Sequence, residues 1–254
     1  VLRYDKRTCR GPDNPRCQGN GYPKPDAEIT IDAFVDDASK AVEWLADRPE
    51  VDPDRLVLLG HSQGGEFVPA LMKRHDGVAA GVMVATPFRP IDETYRAQAT
   101  FMRKMLRESG ATEEAIRQMA PMKRIDYIAD QLERLRAGKF DEERLGGVGV
   151  GFWESWMRLG DEKPDIAADL GRPLLVVSGS YDYNVPPKET KLWRKHLADA
   201  PGGVDHRVAT LDCITHALNC IDESDPFEVE PDDLGKHVDP KVTDRITRFL
   251  DDQL

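Results

Sequence analysis

The sequence predicts an α/β protein, a mainly parallel sheet covered by helices on both faces. Three observations predict it. Apolar runs of strand length recur at residues 56–59, 78–84 and 173–178, and strands without polar alternation are those buried on both faces. Stretches of helical periodicity separate these runs, as expected of parallel strands joined by crossover helices. One strand-to-helix junction reads Gly60-His61-Ser62-Gln63-Gly64, a tight turn that presents a serine between the two elements.

The elements follow in order. Residues 1–4 read as the end of a strand, and residues 9–26 as a loop rich in Gly, Pro and Asn. From Thr30 the pattern turns helical. Ile31, Phe34, Val35, Ala38, Val42 and Leu45 keep helical spacing, with Asp32, Asp36, Asp37 and Lys40 on the other face. Asp52-Pro53 ends that unit before the first apolar strand. A helix runs from the serine turn to about Arg74, and the strand 78–84 follows. Residues 90–169 then break the rhythm. They are rich in Arg, Lys, Glu, Met and Ala at helical spacing and predict two to four helices inserted between two strands. Long insertions are tolerated at loop ends and often cover sites. Residues 90–169 are therefore expected to form a lid on a core built from residues 1–89 and 170–254. The core resumes with a strand at 173–178, a helix at 187–197 and a strand at 206–211. A long acidic loop and an amphipathic helix at 242–250 close the chain.

The 254 residues suffice for one sizeable domain with its own core. Apolar residues make up 40% and charged residues 32%, a globular balance. The net charge of −11 repels phosphate backbones, which argues against nucleic acid and anionic membrane surfaces as partners. No apolar run approaches the roughly 18–20 residues that span a bilayer. No signal-peptide pattern is visible, but the chain begins at Val1 rather than Met, which fits a removed leader. The four cysteines fall into close pairs, Cys9 with Cys17 and Cys213 with Cys220. Such pairing predicts disulfides, and with them a secreted or periplasmic protein rather than a cytoplasmic one. No C-x2-C pair suggests zinc, and no cofactor is implied.

The serine turn carries the chemistry. A nucleophile on a tight strand-to-helix turn has a strained backbone, and small residues two before and two after it avoid clashes. Ser62 would sit at the positive end of the following helix, where the backbone N–H of Gln63 can donate to an oxyanion. A serine hydroxyl is a poor nucleophile at neutral pH and needs a histidine base oriented by an acid. His216 follows the last strand, at the strand end where ligands gather in open α/β sheets; His237, in the acidic loop, is its rival. His61 is expected to point away from the site that Ser62 faces. His75 ends a helix, His196 lies within one, and His206 starts a strand. Asp182 follows the preceding strand on the same side of the sheet, with Asp212 as the fallback acid. Ser62, Asp182 and His216 then occur in the chain order Ser, Asp, His. A Cys213–Cys220 disulfide would bracket His216 and stiffen its loop. Phe152, Trp153, Trp156, Met102 and Met105 could line a pocket under the lid or simply pack inside it.

At these residues the sequence resembles the α/β-hydrolase superfamily, in particular bacterial esterases and serine aminopeptidase-like hydrolases. The segments that carry the likeness are residues 2–7, Val51-Asp52-Pro53-Asp54-Arg55-Leu56 before the serine turn, and Gly179-Ser180-Tyr181-Asp182 with Val185-Pro186-Pro187. The resemblance implies a triad of Ser62, Asp182 and His216, acyl transfer to Ser62, then hydrolysis. One departure stands out. The family places a strand before residues 2–4, inside the sheet beside strand 56–59, and the loop after it supplies a second oxyanion N–H. No segment here reads as that strand. The expectation is an N-terminally incomplete version of a longer hydrolase, because a missing central strand leaves backbone groups unpaired.

The leading functional expectation is a carboxylic-ester hydrolase acting on a small-molecule ester. A peptidase or amidase with the same triad is the alternative, and the acidic loop 222–233 could attract an amine. A non-catalytic binding protein on the same fold is the third reading, since fold alone does not settle function.

Overall fold

The computed structural model describes residues 1–8, 29–221 and 237–254. The expected Cys9–Cys17 pair and the acidic loop 222–233 lie outside these residues.

Helix α1 (Ile31–Ala46) starts where expected because Thr30 caps it, its side chain accepting from the Ala33 N–H at 3.2 Å. It leads into β1 (Leu56–His61), α2 (Gln63–Arg74) and β2 (Val78–Val84). Four helices follow: α3 (Ile91–Glu108), α4 (Glu113–Gln118), α5 (Ala120–Arg136) and α6 (Val150–Asp169). Between α5 and α6 lies a short hairpin, β3 (Arg144–Leu145) with β4 (Val148–Gly149). The core resumes with β5 (Leu174–Gly179), α7 (Pro187–Ala198), β6 (Arg207–Leu211) and α8 (Pro240–Gln253).

The main sheet has four parallel strands in the order β1-β2-β5-β6. Its central strands are apolar throughout because both faces are covered. Val78 and Met83 of β2 and Leu174 and Val176 of β5 pack with Met72 of α2 and Trp193 of α7. Their neighbours Val82, Val84, Leu175 and Val177 pack on the other face with Val242 and Phe249 of α8. Side chains alternate across a strand, so one apolar run feeds both layers. On the first face Gly81 leaves no room for a side chain. A Cβ there would lie 2.6 Å from the Met72 sulfur.

One expectation needs correction. Residues 1–8 form no strand. The segment instead docks by its side chains, Arg7 gripping Asp37 of α1 with two bonds of 2.7 and 2.8 Å and donating to the Ala33 carbonyl at 2.9 Å. Residues 1–4 read as the end of a strand, but a strand needs a pairing partner, and residues 1–8 have no strand partner among the described residues. β1 is an edge strand among the described residues, with Leu59 58% exposed.

Residues 90–169 hold four helices, within the two to four expected, and add the β3–β4 hairpin. The β3–β4 turn uses Gly146 and Gly147 at φ 60° and 84°, the doubly positive φ that a two-residue hairpin turn demands and that glycine alone adopts readily. The helices of this segment have their own cores. Leu106, Ile116 and Met122 form one, and Ile91, Ile128, Leu132, Trp153 and Met157 another. At the base of the segment α6 passes directly against the start of α3. A Cβ on Gly160 would lie 2.4 Å from the Pro90 Cα.

His206, just before β6, carries a pH prediction. Neither of its ring nitrogens has a partner among the described residues, and burial holds its pKa below the usual histidine value, with Asp205 opposing. The unfolded chain therefore takes up this proton first as the pH falls. The contribution to stability is complete above about pH 6.5 and is lost progressively below it. His206→Phe should flatten the acid side of the thermal-stability profile between about pH 7 and pH 5. An unchanged slope would reject this.

Candidate active site

Ser62 directly follows β1 and stands at the N-cap position of α2, with φ 55° and ψ −124°. This is the left-handed strain expected of a nucleophile on a turn. Its N–H donates to the Val84 carbonyl at 2.8 Å and its own carbonyl accepts from the Gly65 N–H at 2.9 Å. Gly60 is demanded by the turn, because a Cβ there would sit 2.2 Å from the Gly64 carbonyl oxygen. Gly64 was expected to be small for the same reason, yet its own Cβ position is open. The second crowded position is Gly65, whose Cβ would collide with the Thr86 hydroxyl at 1.9 Å. Gln63 opens α2, so its N–H is among the four that have no partner within the helix.

The loops after β5 and β6 bring the other two groups to Ser62. His216 Nε2 lies 3.1 Å from Ser62 Oγ. On its other side His216 Nδ1 lies 2.9 and 3.1 Å from the two oxygens of Asp182. A carboxylate only accepts, so Nδ1 carries the proton and Nε2 offers its lone pair to the serine hydroxyl. Asp182 is fully buried and also accepts the Val185 N–H at 2.8 Å, which fixes its orientation. The structure does not bring His237 or Asp212 into this cluster, and both are exposed.

The histidine loop is tied to itself and to the acid loop. Cys213 and Cys220 form a disulfide. Inside that ring the Thr215 N–H donates to the Asn219 carbonyl and the Leu218 N–H to the Thr215 carbonyl. Across the loops, the Tyr181 N–H donates to the Ile214 carbonyl at 3.0 Å and the Cys213 N–H to the Ser180 hydroxyl at 3.0 Å. Gly179 permits this approach, because a Cβ there would lie 1.9 Å from the Ile214 oxygen. Closing so short a ring limits the unfolded chain. The double variant Cys213→Ala/Cys220→Ala should lose about 2–3 kcal/mol of stability. Turnover should drop severalfold as the His216 loop loosens. Unchanged thermal unfolding and turnover would reject the stiffening role.

A cavity of about 340 Å³ opens onto Ser62 and His216. Tyr95 and Gln98 of α3, Trp156 of α6 and Asn184 of the acid loop form its walls, and Glu66 of α2 lines it. Gln98 Nε2 donates to the Asn184 carbonyl at 2.5 Å, joining α3 to the loop that carries Asp182. Of the five proposed pocket residues, Trp156 lines the cavity. Trp153 and Met102 pack inside the helical segment, Phe152 packs between one of its clusters and the one formed mainly by α1 and α2, and Met105 does not line the cavity.

Beneath the cavity runs a chain of buried charges that no sequence pattern flagged. Glu66, four residues after Ser62, accepts from Trp156 Nε1 at 2.8 Å and from Lys163 Nζ at 2.5 Å. Lys163 also donates to the Arg89 carbonyl at 3.1 Å, and Arg89 grips the buried Glu189 of α7. Burial pushes the Glu66 carboxyl up, and the Lys163 ammonium counters that. The partners lie 97 residues apart, beyond the reach of any local signal. No cluster of three or more His, Cys, Asp or Glu side chains able to hold a metal occurs among the described residues. Among them, no helix is long and apolar enough to cross a membrane.

Comparison with known proteins gives the family and the fold. Residues 20–222 match the family described as serine aminopeptidase, S33. The chain belongs to this family of α/β-hydrolases. It is 29% identical over 253 residues to Esterase EstD of Thermotoga maritima, covering 98% of this chain and 53% of that protein. The chain thus spans about half the length of the curated relative it matches. Among solved structures, an esterase of Pyrococcus furiosus superposes with a TM-score of 0.51 at 13% identity, covering 89% of this chain and 64% of that one. Est1E of Butyrivibrio proteoclasticus gives 0.49 at 17% identity, with coverage of 88% and 71%. The α/β-hydrolase family member described here has the mostly parallel sheet of the fold, with helices on both faces.

Proposed function

We propose that this α/β-hydrolase is a carboxylic-ester hydrolase that works through an acyl-Ser62 intermediate. The observation that carries the reading is the unbroken run from Ser62 Oγ to His216 Nε2 at 3.1 Å and from His216 Nδ1 to Asp182 at 2.9 Å. In this reading Ser62 Oγ attacks the ester carbonyl while His216 Nε2 takes its proton. Asp182 stabilises the imidazolium that results. The Gln63 N–H faces the developing oxyanion at the start of α2. His216 then returns the proton to the alkoxide as the C–O bond breaks and the alcohol leaves. Water, deprotonated by His216, attacks the acyl group and frees Ser62.

Residues 90–169 act as the lid, supplying Tyr95, Gln98 and Trp156 to the cavity above the serine. The substrate is a small-molecule ester, and the Cys213–Cys220 disulfide supports a secreted or periplasmic setting. A peptidase reading has one specific support, the family's own description as serine aminopeptidases.

The test is turnover of p-nitrophenyl acetate beside an aminoacyl p-nitroanilide, with labelling by a fluorophosphonate mapped by mass spectrometry. Ester turnover with the label on Ser62 is the expected result. Faster anilide cleavage would move the assignment to the peptidase. A folded protein with neither turnover nor label would leave a non-catalytic binding protein.

A further inference from the structure

The order of the strands poses a problem for the triad. Neighbouring strands lie about 4.8 Å apart, so β1, which carries Ser62, is roughly 14 Å from β6, which carries His216. The loops after β5 and β6 must therefore reach back across the end of β2. The disulfide and the backbone bonds of residues 213–221 tie the histidine loop to itself, and the Ser180 and Tyr181 contacts tie it to the acid loop. None of them reaches the strand that carries the nucleophile.

One side chain does. His61, the last residue of β1, does not line the cavity, but its ring turns to the histidine loop. The exposed His61 ring lies 4.8 Å from the His216 ring, with the planes tilted by 45°. Its Nε2 lies 2.9 Å from the His216 carbonyl oxygen. A carbonyl only accepts, so His61 Nε2 carries a proton and donates it. Like the Ser62–His216 contact, this polar contact joins the β1 end to the histidine loop.

From this geometry we infer that His61 is a positioning residue of the triad. It anchors the His216 backbone to β1 and so sets the distance from Nε2 to Ser62 Oγ. This inference rests on the Ser62-His216-Asp182 reading above. The charge state of His61 agrees with the role. Partial burial and the nearby His216 hold its pKa below the usual histidine value; Lys6 adds to the lowering, while Asp182 and the bond to the carbonyl oppose it. A neutral His61 leaves room for the positive charge that His216 gains when it takes the serine proton.

Two variants separate the donor from the ring. His61→Phe keeps a ring against His216 and loses the N–H, whereas His61→Gln loses the ring and keeps an amide N–H in reach of the carbonyl. With p-nitrophenyl acetate, His61→Phe should lower kcat by roughly tenfold to a hundredfold, because small misplacements of reacting groups are that costly. KM and the thermal midpoint should stay close to wild type. His61→Gln should recover kcat to within about threefold of wild type, since one retained hydrogen bond restores the alignment. Wild-type kcat in His61→Phe, or equal losses in both variants, would overturn the inference while leaving the hydrolase reading intact. A wild-type protein that neither turns over nor takes the fluorophosphonate overturns both.

Discussion

Ser62→Ala is expected to lower ester turnover by roughly a millionfold, to the level left by binding and oxyanion contacts alone. The size follows from the arrangement. In the proposed mechanism His216, 3.1 Å from the hydroxyl and buttressed by a buried Asp182, is the group that takes that proton. Without the hydroxyl neither His216 nor Asp182 has a partner to activate. His216→Ala should therefore cost about as much as Ser62→Ala, and the double variant hardly more, because groups acting as a unit do not add. Asp182→Asn should cost on the order of ten-thousandfold, since an amide can donate to Nδ1 and favour the wrong tautomer. Circular dichroism would confirm that each variant is folded. Residual turnover of a few per cent in purified Ser62→Ala would assign the nucleophile elsewhere.

The largest effect on stability is expected at Lys163. Its side chain and that of Glu66 are essentially inaccessible, at 0% and 1% exposure. Lys163→Met removes the cation and leaves the Glu66 carboxylate with the Trp156 indole as its remaining partner. Removing one member of a buried pair costs about 3–5 kcal/mol, mostly because the other charge is left uncompensated. The double variant Glu66→Gln/Lys163→Met should recover much of that, since Gln can still accept from Trp156 without a charge. The pH dependence gives a second readout. In Lys163→Met burial dominates at Glu66, with Glu189 adding to it and the Trp156 bond opposing, so its folded pKa stands above the unfolded one. The folded state then binds the extra proton, and stability is greatest at low pH and is lost as the pH rises through that folded value. The deficit against wild type should thus shrink between about pH 8 and pH 5 in urea melts. A single variant as stable as wild type would show that Glu66 finds another partner or takes up a proton without penalty.

The same pair explains how the cavity is shaped. Lys163 lies on α6 and Arg89 just before α3, so the chain from Glu66 to Glu189 fastens both ends of residues 90–169 to the nucleophile helix and to α7. The close contact of Gly160 with Pro90 acts at the same junction. Trp156 is held by Glu66 and stacked on Trp153, with ring centres 5.9 Å apart and planes 14° apart.

Much of this was legible in the sequence because it is local. The apolar runs 56–59, 78–84 and 173–178 have no polar alternation because both their faces are covered, and a strand of that kind announces itself. The turn at Ser62 is legible because its strain is relieved within five residues. The order of Ser62, Asp182 and His216 is legible because each follows a parallel strand, and parallel strands deliver their ends to one edge of the sheet. Even some misreadings were local. Gly146-Gly147 is a hairpin signal that the helical periodicity around it obscured.

What the sequence determined by itself is therefore the class of fold, the strained serine turn and the side of the sheet on which the three groups gather. The tertiary structure decided the rest. It chose Gly65 over Gly64 as the crowded glycine, turned His61 toward His216, left residues 2–4 without a strand, and paired Glu66 with Lys163. Each of these depends on which element lies beside which. Periodicity records only whether a side chain is buried, not what it is buried against. A residue's partner 97 or 155 positions away is set by strand order and helix packing, which exist only once the whole chain has folded.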